Sequence, residues 1–434
     1  WGRVAAVTVA LAALALGQAV GGRGASGGLS GHQGIVDAYT LDVDAATFGR
    51  VHLGNYGLLD LQRHGDRYRV VVGLTLVERD LLRDAGLEPV LWRNAAGQTA
   101  AEIHSRYQEQ QGYKVYRSWD QPGGIKEELD ALAAAHPEIV EKVVIGHSVQ
   151  GRELVAMRVT KGGAAVPQGS RPAVWFNALQ HAREWIAIET NRRLLRHFVE
   201  RYGSDETVTG IVDTTEIWFV VAANPDGYQF TFTGGNRLWR KNLRDNNGNG
   251  EVGQGDGVDP NRNFDAHWNY DNDGSSSNPA SETYRGPSPA SEPEIKAAQD
   301  LLARIPFRFV VNYHSAAELL LYPDGWQDLT PTADDAIYRA LVGTRANPAV
   351  PGFDPILSSV LYITNGETCD FAHAVTDALC ITPELSTPPQ GSGGSGFEFP
   401  DDEALIQAEF EKNLPFALDI ARSAADPTRP ISHL

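Results

Sequence analysis

The segment Ala173-Val-Trp-Phe-Asn-Ala-Leu-Gln-His181-Ala-Arg183-Glu184-Trp185 decides how this chain is read. Its first half is uncharged, β-branched and aromatic, which is the composition of a strand buried on both faces. Its second half opens a helical pattern in which Ile188, Leu195, Phe198 and Tyr202 recur, with Gly203 as the stop. His181 falls at the carboxyl end of the strand and Glu184 in the turn that starts the helix. Sheets of α/β proteins hold their ligands at that edge. An imidazole and a carboxylate three residues apart can reach one ion there, and such donors suit zinc.

The same alternation continues on both sides of this segment, from Tyr113 onward. Apolar runs at 142–145, 173–177, 217–222, 309–313 and 378–382 predict buried strands. Residues 124–135, 184–202, 292–304 and 403–422 predict helices. Alternating strands and helices imply an α/β sheet covered on both faces. His314 directly follows the apolar run at 309–313, so it too is expected at a strand end. Two histidines and one glutamate leave a fourth coordination position for water, the open arrangement of a catalytic zinc.

Further outward, residues 33–92 read as a small α/β unit. Runs at 58–62 and 68–72 flank a turn at 63–66, the pattern of a hairpin. Thr75 and Glu78 form a capping box ahead of a short helix that Gly86 can end. The polar stretch 94–112 reads as a linker, with 108–112 open to proteolysis. At the start, Arg3 precedes an uncharged run over 4–20 and Gly-rich residues 21–31, the pattern of a secretory signal. No second apolar run of spanning length follows, so no stable membrane span is expected after signal removal, and the protein is expected to be secreted. The formal charge of -18 speaks against a nucleic-acid partner, which needs a basic face. Cys369 and Cys380 allow one disulfide or two buried thiols. Asp245, Asn247, Asn249, Glu251 and Asp256 alternate oxygen-bearing side chains as an EF-hand loop does, which raises calcium as a second metal; Asp271-Asn-Asp273-Gly is a weaker case.

His181-Ala-Arg-Glu184-Trp is followed in order by Asn224-Pro-Asp-Gly-Tyr, Arg237-Leu-Trp-Arg240-Lys, Asp259-Pro-Asn261-Arg262-Asn, Tyr313-His314-Ser, Leu320-Leu-Tyr-Pro, Tyr362 and Thr382-Pro-Glu384-Leu. This ordered set, over about residues 113–422, resembles the zinc metallocarboxypeptidases of the carboxypeptidase A/B family. The resemblance implies an α/β/α sandwich around a mixed parallel and antiparallel sheet, preceded by a small α/β prodomain-like unit. It implies one catalytic zinc on His181, Glu184 and His314, with peptide or protein carboxyl termini as substrate. Glu384 is then the base that later acts as acid, and Arg240 polarises the oxyanion. Asn261 and Arg262 bind the terminal carboxylate, Tyr362 closes over it, and Arg183 serves an auxiliary subsite. Asp259 accepts from His181 behind the metal. Alignment from Tyr362 and Glu384 puts Gly325, Leu361, Thr364, Cys369 and Thr382 around the terminal side chain. None is charged, so neutral or apolar residues are expected, although Asp370 stands next to Cys369. The expected organisation is a signal peptide (1–28), a propeptide and linker removed by an activating protease (29–111), a catalytic domain (112–424) and a tail (425–434). A cell-wall peptidase is the nearest alternative; Asn261, Arg262 and Tyr362 favour a free α-carboxylate.

Overall fold

The computed structural model describes residues 37–426 apart from 52, 54, 55, 95, 104–112, 254 and 389–397. The expected leader, the expected cut region and residues 427–434 lie outside the described residues.

Two sheets organise the chain. Strands β1 (Asp37–Asp44), β2 (Gly57–His64), β3 (Arg67–Leu74) and β4 (Val90–Leu91) form a small antiparallel sheet in the order β2-β3-β1-β4. The hairpin sits where the residue pattern places it, with Gly65 at φ 68° in its turn. Helices α1 (Ala45–Arg50) and α2 (Leu76–Asp84) accompany it. The α2 capping box is formed: Thr75 Oγ1 accepts from Glu78 N, and Glu78 Oε2 accepts from Thr75 N. The stretch read as a linker is partly structured, because Thr99 and Glu102 make a second reciprocal cap around a turn at 100–103.

The large sheet has eight strands: β5 (Val140–His147), β6 (Glu153–Val159), β7 (Ala173–Ala178), β8 (Glu216–Val220), β9 (Phe307–Ser315), β10 (Leu319–Tyr322), β13 (Asp354–Leu357) and β14 (Leu379–Leu385). A two-residue ribbon, β11 (Gly343–Thr344) with β12 (Asn347–Pro348), stands apart. The order is β13-β10-β14-β9-β7-β8-β6-β5, with β14, β9, β7 and β8 parallel and antiparallel pairs at β10–β14, β6–β8 and β5–β6.

Helices cover both faces. In chain order they are α3 (Ile125–Ala135), α4 (Trp185–Arg201), α5 (Glu206–Thr214), α6 (Pro225–Thr231), α7 (Pro293–Arg304), α8 (Asp335–Val342), α9 (Ser358–Leu361), α10 (Thr368–Thr376) and α11 (Glu403–Ala425). Side chains alternate across β7. Val174, Phe176 and Ala178 join a core with Leu195 and Phe198 of α4 and Phe416 and Ile420 of α11. Ala173 and Trp175 join the opposite core with Ile295 and Leu301 of α7 and Phe371 of α10. The result is the expected α/β/α sandwich. Asn191 of α4 donates to the carbonyls of Phe176 and Val220, fastening that helix to the middle of the sheet.

Candidate metal centre and active site

Adjacent parallel strands end at a common edge, and β14, β9 and β7 place the candidate residues there. His314 of β9 pairs in register with Glu384 of β14, and His181 lies just beyond β7. Leu179 has φ 61°, a left-handed backbone uncommon for leucine, and turns the chain sharply between strand and site. Glu184 occupies the N-cap position of α4, yet its carboxylate makes no cap bond there and faces the histidines instead.

His181 Nδ1 lies 2.7 Å from Glu184 Oε1, His314 Nδ1 lies 2.9 Å from Glu184 Oε2, and the two Nδ1 atoms are 3.0 Å apart. All three residues are buried. Lone pairs that converge this closely repel one another unless protons or a cation lie between them. Two imidazole nitrogens and a carboxylate around one point match the donor set of zinc with one position open. Burial works against the Glu184 charge, but His181 and His314 hold its carboxyl well below the usual range.

A second ring of contacts orients these donors. His181 Nε2 lies 3.2 Å from Asp259 Oδ1, so its proton sits on that nitrogen and Nδ1 is left to the metal. Asp259 Oδ2 accepts from Arg240 Nε and Nη2 at 3.1 and 2.8 Å. Asp259 also accepts from Asn261 N, opening the short turn that carries Asn261 and Arg262. The Arg262 guanidinium lies 5.8 Å from the centre of the Tyr362 ring. Burial pushes Glu384 up to about 7; His314, Arg240 and Arg262 pull it back, and Glu184 adds to the rise. Arg183 is placed differently from an open subsite. It is buried, with Nη1 3.0 Å from Glu282 Oε2 and Nη2 donating to Leu58 O of β2 at 3.2 Å.

Four of the five residues expected around the terminal side chain, Leu361 apart, meet in two pairs. Thr364 N donates to Gly325 O, and a Cβ on Gly325 would stand 2.3 Å from Thr364 Oγ1, so any larger residue would push the threonine aside. Cys369 lies 3.3 Å from Thr382 Oγ1, and it is bonded to Cys380, which decides between the disulfide and the thiols. Asp370 adjoins the first pair: its Oδ1 accepts from Gly325 N at 2.9 Å. Burial, with Glu367 beside it, pushes the Asp370 carboxyl well above the usual range.

Several supporting residues carry no assignment from the residue pattern. Asn224 donates to the carbonyls of Gln180 and Lys241 and accepts from Gly227 N, stitching the two loops that bear His181 and Arg240. Gly227 must be glycine because an added Cβ would come within 2.8 Å of Ala182 and closer still to Lys241 O. Glu282 is separated from its partner Arg183 by far too many residues for any spacing rule to pair them. In the loop considered for calcium, Asp245 accepts from the amides of Asn247, Gly248 and Gly250, and Asp256 from those of Asn246 and Gly253. Asp271 likewise accepts from Asp273 N and Gly274 N. These are self-closing polar turns, and calcium there rests on residue pattern alone.

A profile of the zinc carboxypeptidase family matches residues 125–414. The chain belongs to this family. It is therefore a metallocarboxypeptidase, a zinc-dependent peptide hydrolase. Carboxypeptidase A1 of Rattus norvegicus is 32% identical over 307 residues, covering 68% of this chain and 68% of its own length. Carboxypeptidase A1 of Sus scrofa is 31% identical over 360 residues, covering 80% and 77%. Among solved structures, carboxypeptidase A from Helicoverpa armigera superposes with a TM-score of 0.69 at 22% identity, covering 90% of this chain and 98% of that one. Thrombin activatable fibrinolysis inhibitor gives 0.68 at 22% identity over the same shares, so both extend the likeness of fold across the small sheet. No helix among the described residues is long and apolar enough to cross a membrane.

Proposed function

We propose that this carboxypeptidase is exported as a zymogen and, once residues 29–111 are cut away, releases single neutral or apolar residues from the carboxyl ends of peptides and proteins. The observation that carries the reading is the convergence of His181, Glu184 and His314 on one point beside Glu384, with Arg240 and Arg262 close enough to act on its charge.

Zinc held by the three ligands supplies Lewis acidity for amide hydrolysis. Glu384, buried and raised to about 7, takes the proton of the attacking water and returns it to the leaving amine. Arg240, held by Asp259, faces the oxyanion as it develops, when a fixed cation contributes most. Asn261 and Arg262 bind the terminal carboxylate, Arg262 by parallel hydrogen bonds, and Tyr362 closes over it. Arg183 contacts the substrate further from the cut. A neutral terminal residue fits the pocket because none of its expected lining residues is charged, and burial works against a charge on the adjoining Asp370.

The zymogen reading is supported by what the small sheet covers. Leu58 O of β2 occupies Arg183, and Tyr362 packs against the apolar cluster of Leu41, Val70 and Leu74. Substrate-binding groups engaged in this way cannot meet a peptide until the sheet leaves.

The test is to load the full chain with zinc, treat it with a trimming protease and add a peptide mixture with and without a chelator. Stepwise loss of terminal residues is expected, abolished by chelation, restored by zinc and absent in Glu384→Gln. Peptides with amidated termini should resist. Internal cleavage alone, or activity indifferent to chelation, would overturn the proposal.

A further inference from the structure

Between His314 and Asn261 the interior holds a run of amide and hydroxyl groups where apolar packing would be expected. Gln180, Thr368, Asn312 and Asn177 are all at most 1% exposed. Gln180 Nε2 donates to Thr368 Oγ1 at 2.8 Å. Thr368 Oγ1 lies 2.8 Å from Asn261 Oδ1, closer than the 3.1 Å to Gln180 Oε1, and Thr368 N donates to the same Asn261 oxygen at 3.0 Å. At the other end Gln180 Oε1 lies 3.2 Å from His314 Nε2 and accepts from Asn312 Nδ2 at 2.9 Å. Asn312 Nδ2 is itself 3.0 Å from His314 Nε2, and Asn177 Nδ2 donates to Asn312 Oδ1 at 2.8 Å. Buried amides are costly unless bonded, so these groups hold one another in place.

Donor and acceptor identities give the run a direction. A backbone N–H can only donate, so Thr368 N holds the Asn261 oxygen inward and turns the two Nδ2 protons outward, as an anchor for a carboxylate requires. His314 presents Nδ1 to the metal point, which puts its proton on Nε2; of the two groups within reach there, Asn312 Nδ2 can only donate, so Gln180 Oε1 is the acceptor and the two donors share it. Gln180 suits both ends because one amide both accepts and donates.

We propose that Gln180 is a positioning residue that, through Thr368, joins the metal ligand His314 to the carboxylate anchor Asn261. The Asn261 end rests on the function proposed above; the His314 end needs only the metal.

The test compares wild type, Gln180→Leu, Gln180→Glu and Thr368→Val. Zinc release to a chelator is followed on zinc-loaded full chains. kcat and KM are then measured on a peptide with a free carboxyl terminus, after the same protease treatment. Gln180→Leu should release zinc about 10-fold faster or more and raise KM. Thr368→Val should keep wild-type zinc release and raise KM about fivefold, more than it lowers kcat. Gln180→Glu should restore zinc retention, because its carboxylate still accepts from His314, but not KM, because it has no N–H for Thr368. A wild-type release rate in Gln180→Leu, or an unchanged KM in Thr368→Val, overturns the proposal. So does a parallel fall in thermal stability, zinc retention and KM behaviour in all three variants, the mark of a merely structural role. If Gln180→Leu fails to fold, the contrast between Gln180→Glu and Thr368→Val decides. Absence of terminal release by wild type would refute the function proposed above, and zinc release would still decide the His314 end.

Discussion

Asp259 shows how one side chain serves two others. One oxygen faces His181 and the other holds Arg240, so its loss should disturb both side chains together. Burial raises the Asp259 carboxyl, but Arg240 and His181 outweigh it and hold the group well below the usual range. Asp259→Asn keeps an acceptor for His181 but removes the charge that Arg240 neutralises. Zinc affinity should fall about 10- to 100-fold, measured by competition with a chromophoric chelator. An unchanged affinity would show that the Asp259 charge does not act on the metal through His181. The candidate metal ligands are legible in the chain because each histidine follows a recognisable strand and Glu184 opens the helix three residues on. Gln180 is not, since a glutamine beside a histidine has no distinguishing spacing, and its partners Thr368 and Asn312 arrive from other strands and helices.

Helix α4 connects the sheet to the metal through its first turn. Trp185 follows Glu184, stacks on Phe232 at 4.2 Å, carries the Arg237 guanidinium 3.8 Å above its ring and donates from Nε1 to Thr231 Oγ1. Trp185→Ala removes a fully buried aromatic, which costs about 3–5 kcal/mol, readable as a lower urea midpoint. Zinc retention should fall with it, because Glu184 sits on the helix end that the ring fixes. The helix itself is plain in the residue pattern. Strand β6 is not, because Arg158 interrupts its apolar run. That arginine is buried, 2.6 Å from Glu141 and 3.3 Å from Glu216. Only the assembled sheet supplies the partners that make a charge tolerable there.

For the molecule as a whole, the contact between the small sheet and the sandwich is rich in carboxyls of like sign. Glu78 is raised to about 7 by burial and by Glu282, with Lys241 opposing. Glu398 reaches about 7 by burial, with Arg237 opposing and Asp37 adding. Asp60 reaches about 6 by burial, with Glu318 adding. An acid whose folded pKa exceeds its unfolded value binds its proton more tightly when folded. Stability from these groups is therefore full below about pH 4, the ordinary carboxylate range, and is lost as pH rises through 6 and 7. The urea midpoint of the full chain should be higher at pH 5 than at pH 8. Glu78→Gln, which keeps an acceptor for Thr75, should flatten that slope. A slope identical to wild type would exclude Glu78 as a contributor.

The chain by itself determined the α/β alternation, the strand-end histidines, the capping box at Thr75 and the family to which the chain belongs. Each depends on residues near one another in sequence or on an ordered series of short motifs. The tertiary structure alone decided that Cys369 joins Cys380, that Arg183 turns to Glu282 and Leu58, that Asp370 holds Gly325 N, and that Gln180 links His314 to Thr368. Those contacts unite segments far apart along the chain or depend on side-chain direction. Periodicity and spacing report neither; only packing brings the partners within hydrogen-bonding range.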